Sequence, residues 1–229
     1  MTATEAFEEG VRAVSRQLSR WEIGVDAAIH FCAIVAAIIG AVVLLLFAAG
    51  RGGVADFVSA GVYSGGLLAM LGCSAAYNMG QWTRYRVWLL NLDQAAIFLM
   101  IAGTYTPFTL LHLEGAWRIS LTSIVWSLAA AGILVRFVHG RLFARISIAL
   151  YLALGWMSVF ALAPLIAAVE APVLILLATG GALYTIGVVF HLWQRLPFQT
   201  VIWHGFVVAA AATHFAAVAV SMVGSSGPL

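Results

Sequence analysis

The chain is 229 residues long, 63% hydrophobic and only 9% charged, with a formal net charge of +2. Ordinary globular proteins carry about 25% charged residues, so at a mean hydropathy of +1.03 there are too few charges to cover a water-soluble domain of this size. The composition excludes a soluble domain, implies a chain solvated by a bilayer, and gives no basis for nucleic-acid binding.

In chain order, residues 1–22 come first. Glu5, Glu8 and Glu9 occupy the place of a basic leader region and no cleavage motif follows, so this stretch is not expected to be a secretory signal. Phe7, Val11, Val14, Leu18 and Trp21 share one helical face while Arg12, Arg16 and Arg20 share another. That division predicts an amphipathic helix lying in the headgroup layer.

A spanning helix needs about 20 largely apolar residues. Seven such runs follow, at roughly 27–49, 57–78, 89–111, 117–136, 145–166, 171–191 and 200–222. The predicted fold class is therefore all-α and integral to the membrane. One seven-helix domain covers 23–229 behind the interfacial segment 1–22, since the short connectors leave no room for a second domain. Cys32 and Cys73 both sit inside apolar runs and read as packing residues.

All eleven basic residues are arginines. Arg12, Arg16, Arg20, Arg84, Arg86, Arg136, Arg141, Arg145 and Arg195 fall on one side of the predicted membrane, against Arg51 and Arg118 on the other. By the positive-inside rule the N-terminus is expected in the cytoplasm and, after seven spans, the C-terminus outside.

Ionisable groups inside lipid cost about 2.5–3.5 kcal/mol on insertion scales and ask for a partner or a purpose. Asp93, near the start of the third run, is the clearest case, with snorkelling to the interface as the competing explanation. The ends of runs two, three, six and seven on the arginine-rich side carry Ser74, Asn78, Asp93, Gln94, His191, Thr200 and His204, and His30 lies one turn into the first run at the same depth. A hydrogen-bonded core residue is the plain reading of any one of these. Their convergence predicts a polar site. His214, ten residues beyond His204 and so about 15 Å along the axis, reads as a buried residue paired with a neighbouring hydroxyl.

Five strings carry a resemblance: Glu22-Ile-Gly-Val-Asp26-Ala-Ala-Ile-His30, Ser74-Ala-Ala-Tyr77-Asn78, Leu92-Asp93-Gln94-Ala-Ala-Ile-Phe98, Ile101-Ala-Gly-Thr-Tyr-Thr-Pro-Phe108, and Thr200-Val-Ile-Trp-His204 with Thr213-His214-Phe215 beyond it. Together they resemble the hemolysin III family, the bacterial branch of the progestin and adipoQ receptor group of seven-helix membrane proteins. The resemblance implies a multi-pass protein of the bacterial cytoplasmic (inner) membrane. It also implies zinc near the cytoplasmic face, held by one histidine ending helix 2 and two histidines opening helix 7, with a serine and an aspartate in support. Ser74, Asp93 and His204 stand at matching positions. Asn78 and Thr200 replace the other two ligand histidines, and Gln94 stands where a histidine commonly follows the aspartate.

An amide and a hydroxyl are poor donors for zinc, which favours three protein nitrogens or a carboxylate in such sites. The substitutions weigh against a native zinc site unless His30 or His191 supplies the missing nitrogens; otherwise the same residues form a metal-free polar network. The favoured reading is a non-enzymatic hemolysin III-like membrane protein with a polar cytoplasmic-side pocket, in a membrane-homeostasis or cytolysin-type role. A zinc-dependent lipid amide hydrolase, similar to the ceramidase-like relatives and using Asp93 and Ser74 around a bound metal, is the first alternative. A proton-coupled channel or transporter titrating Asp93 and His204 is the second. The expected partners are the bilayer and a lipid substrate or ligand.

Overall fold

The computed structural model describes residues 19–80 and 83–224, and every regular element among them is helical. The elements are α1 (Arg20–Arg51), α2 (Val54–Met79), α3 (Arg86–Leu111), α4 (Gly115–Val138), α5 (Gly140–Gly155), a 3-10 stretch (Trp156–Ala161), α6 (Leu162–Ala168), α7 (Ala171–Leu192) and α8 (Gln199–Gly224). Seven segments are long and apolar enough to cross a membrane, the fifth being Leu142–Ala168, which joins α5, the 3-10 stretch and α6. This is the seven-helix bundle expected from the apolar runs.

The first span begins at Arg20 rather than at 27 because its start is fixed by a reciprocal cap. The Ser19 hydroxyl accepts from the Glu22 amide at 3.1 Å and the Ser19 amide donates to Glu22 Oε2 at 2.8 Å, satisfying two donors that a helix start leaves open. Glu22 Oε1 also accepts the Phe198 amide at 2.8 Å, pinning the loop that leads into α8. Residues 1–18, where the amphipathic segment is expected, lie outside the described residues. At its other end α1 stops on Gly52, whose φ of 71° is the left-handed conformation a glycine cap tolerates.

The bundle turns large apolar residues outward and small ones inward, as a lipid-solvated protein must. Ile39, Val43 and Leu46 of α1 are exposed while Ala33, Ala37, Ala41 and Ala48 are buried. Small residues let helices approach closely, because packing rather than hydrophobic exclusion holds spans together. A Cβ at Gly66 of α2 would lie 3.0 Å from the Leu99 carbonyl oxygen of α3, and one at Gly103 of α3 would lie 3.1 Å from the Val62 carbonyl oxygen of α2. Contact is most extensive between α2 and α3 and between α7 and α8.

Two prolines shape the spans. Pro107, inside α3, cannot donate to the carbonyl four residues back, and Thr104 and Thr106 beside it bond their own helix backbone, to Met100 and Ala102 at 2.8 and 2.9 Å. The fifth span differs from the single helix expected over 145–166: it breaks after Gly155 into the 3-10 stretch and resumes as α6. Pro164, near the start of α6, has no amide hydrogen for the Phe160 carbonyl, so a continuous α-helix would be interrupted there in any case. Tyr105 of α3 fills the break. Its hydroxyl donates to the carbonyls of Leu154 and Gly155 at 3.1 and 2.8 Å and accepts the Ser158 amide at 2.8 Å.

Among consecutive spans the fifth and sixth touch least. They are tied by the Trp156 indole, which donates to Thr185 Oγ1 at 3.1 Å and lies over Gly181 of α7.

Candidate functional site

The polar site is built where α1, α3 and α8 begin and α2 and α7 end, the arginine-rich end of the bundle. Helical spacing places Asp26 and His30 one turn apart on the inner face of α1, and Ser74 and Asn78 one turn apart on α2. In α8, Thr200 and His204 share a face by the same spacing. Asp26, His30 and His204 are all buried.

The contacts are close. Asp26 Oδ1 lies 2.5 Å from His204 Nδ1, across the α1 and α8 interface. His30 Nδ1 lies 2.9 Å from the Asp26 carbonyl oxygen and 3.5 Å from Asp26 Oδ2. The other nitrogen of that ring, Nε2, is 3.1 Å from Ser74 Oγ. The two imidazoles meet edge to face with centroids 4.6 Å apart. Asp26, His30 and His204 each offer one ligand-type atom within 4.8 Å of the others, and they form a group able to hold a metal ion among the described residues.

Asn78 donates to the Ser74 carbonyl oxygen at 2.9 Å and more weakly to Ser74 Oγ at 3.5 Å, so its amide is spent on its own helix. Thr200 donates to Gln199 Oε1 at 3.3 Å. Neither fits a cation site as a strong donor. Asp93 lies beside Ser74 and within electrostatic reach of His204. His191 packs its ring on Trp203, centroids 4.9 Å apart, outside the Asp26, His30 and His204 group.

His30, Ser74, Asn78, Asp93, Gln94, His191, Thr200 and His204 all line one cavity of about 770 Å³. Each polar residue expected at the site therefore lines the same space. From that polar end the cavity runs along apolar side chains such as Ile97, Ile101, Leu177 and Val188, and it reaches His214 and Tyr184. Its wall includes Trp156 and Thr185, the pair that ties the loosely joined fifth and sixth spans. Among the described residues His214 meets a carbonyl rather than the expected hydroxyl: its Nε2 lies 3.2 Å from the Leu177 carbonyl oxygen, and its ring stands 5.6 Å from that of Tyr184.

Asp26 is the residue that sequence reasoning left out of the site, although it stood in the opening string. Its spacing to His30 was the available signal. What was missing was the packing of α1 against α8, which puts the carboxylate on His204.

A bundle of seven spanning helices around a cavity that is polar at one end and apolar along its length defines a membrane-embedded pocket protein. The comparisons give that class a family. Residues 24–215 match the family described as Haemolysin-III related, and the chain belongs to it. It is 35% identical over 190 residues to the "Hemolysin-3 homolog" of Bacillus subtilis (strain 168), covering 83% of this chain and 89% of that protein. It is 42% identical over 124 residues to "Hemolysin-3" of Bacillus cereus, covering 54% and 57%. A more distant similarity, 27% over 167 residues, reaches the "Monocyte to macrophage differentiation factor" of Homo sapiens, covering 70% and 69%.

Proposed function

We propose that this hemolysin III-family protein is a non-enzymatic binder of a membrane amphiphile, acting from the bacterial cytoplasmic membrane with the arginine-rich end in the cytoplasm. The cavity carries the reading. Its volume of about 770 Å³ lies in the range of small-molecule pockets, roughly 300–1,000 Å³, and its polarity is that of an amphiphile. The polar head is placed among Ser74, Asn78, Asp93, Thr200 and His204, and the tail along Ile97, Ile101, Leu177 and Val188. The thin seam between the fifth and sixth spans supplies a route from the bilayer that avoids water. Nine of eleven arginines on the head-group side support the orientation.

The test uses protein purified in detergent and stripped of lipid, then offered single-tailed amphiphiles and examined by native mass spectrometry. One molecule per chain is expected. Leu177→Trp, which fills the apolar part of the cavity, is expected to weaken binding at least tenfold. Binding that is absent, or unaltered by Leu177→Trp, overturns the proposal. Chelator-sensitive hydrolysis of an amide-linked lipid would instead establish the hydrolase reading.

A further inference from the structure

The far end of the cavity carries polar groups that the head-group end does not use. His214 and Tyr184 both line it, their rings 5.6 Å apart, and His214 lies ten residues beyond His204 on α8. That spacing is about 15 Å along the helix axis, which places the pair deep in the bundle. Gly180 of α7 makes room for the imidazole, since a Cβ there would overlap the His214 ring. The ring is seated in a notch on α7 and bonded to the same helix at Leu177.

Both residues keep hydrogen-bonding capacity open. A backbone carbonyl can only accept, so His214 Nε2 carries the hydrogen shared with the Leu177 carbonyl oxygen at 3.2 Å. In the neutral ring Nδ1 is then a lone pair, and among the described residues nothing donates to it. The Tyr184 hydroxyl is buried with no partner among the described residues. So is that of Tyr63, a fully buried residue of α2 within electrostatic reach of Tyr184. An unpaired hydroxyl in apolar surroundings is costly, and at this depth the bilayer offers no water to satisfy it. These atoms stand on the wall along which the tail of an amphiphile runs, so a plain hydrocarbon tail would leave them unpaired.

The open atoms define their complement. His214 Nδ1 needs a hydrogen and the Tyr184 hydroxyl needs an acceptor. One alcohol oxygen supplies both, donating to the imidazole and accepting from the phenol, whereas a ketone or an ether only accepts. We infer that the cavity selects a single-tailed amphiphile with an alcohol on its tail, about 15 Å from the head in the extended chain, held between His214 Nδ1 and the Tyr184 hydroxyl. The inference rests on the amphiphile reading of the cavity and adds the class of tail. Selectivity arises because the wrong tail buries two unpaired polar atoms, a penalty the matching alcohol removes.

The test titrates full-length, lipid-stripped protein in detergent by native mass spectrometry. The probes are stearate, hydroxystearate with its alcohol at mid-chain, the isomer with its alcohol beside the carboxylate, and the mid-chain ketone. The mid-chain alcohol is expected to bind about tenfold more tightly than stearate, the isomer no better than stearate, and the ketone less tightly than the mid-chain alcohol. These comparisons use the wild type alone and need no variant to fold. Tyr184→Phe and His214→Phe are each expected to reduce the alcohol to the affinity of stearate and to leave stearate itself unchanged. Because the Tyr184 hydroxyl has no partner among the described residues, Tyr184→Phe is also expected not to lower the thermal midpoint of the lipid-free protein. Equal affinity for stearate and the mid-chain alcohol, the result if this end of the cavity only houses water, overturns the inference. So does a ketone that binds as well as the alcohol, a preference that survives Tyr184→Phe, or a lowered midpoint in that variant. Stearate bound without preference sinks this inference alone, whereas no binding of any probe sinks the amphiphile reading with it.

Discussion

His112 shows how one residue just outside the spans couples the bundle to pH. It caps α3, its amide donating to the Phe108 carbonyl at 3.2 Å, and its ring stacks on Phe108. Burial holds its pKa below the ordinary 6.5, against the opposite pull of the Ala168 and Ser221 carbonyls and the Glu170 carboxylate. The fold therefore prefers the neutral ring, and the unfolded chain binds the proton more readily. The stability this contributes is present above pH 6.5 and is lost as pH falls through the depressed folded value. Thermal unfolding in detergent is expected to move to lower temperature as pH falls from 6.5 towards that depressed value, and His112→Asn is expected to flatten the trend. Equal slopes in the two proteins would refute it.

Among elements, the fifth span is the one whose shape the sequence did not disclose. Its apolar run reads as one helix, yet the α-helix stops at Gly155 and resumes at Leu162. Pro164 is a local reason for a break. The break is held, however, by Tyr105 on a different helix, through the carbonyls of Leu154 and Gly155 and the Ser158 amide. Tyr105 belongs to the Ile101 to Phe108 string, so one of the five strings that carry the resemblance serves this joint rather than the polar site. In lipid an unpaired backbone group has no water to turn to. Tyr105→Phe is expected to cost roughly 1–3 kcal/mol, read as a lowered thermal midpoint in detergent. An unaltered midpoint would show that the break is held by other contacts.

At the scale of the whole molecule, the cavity and the seam beside it form one device. The fifth and sixth spans are tied through the Trp156 indole on Thr185, and both residues also line the cavity. Thr185→Val removes the acceptor at nearly constant volume. It is expected to speed dissociation of a bound amphiphile several-fold, in stopped-flow exchange with a fluorescent analogue. An unchanged dissociation rate would mean that the amphiphile leaves by another route.

Much of this architecture was legible beforehand. Runs of about 20 apolar residues can only be spanning helices, because a bilayer forces each segment to satisfy its own backbone, so number and order of spans follow from composition along the chain. The residues converging on one depth were legible for the same reason: polar groups are expensive in lipid, and each one left there stands out. What the chain could not disclose is which of them touch. Asp26 and His204 are 178 positions apart, and hydrophobic periodicity says which face of a helix turns inward but not which neighbour it meets. The packing of α1 on α8 decided that Asp26 holds His204, that His30 rather than His191 stands beside it, and that Asn78 spends its amide on its own helix.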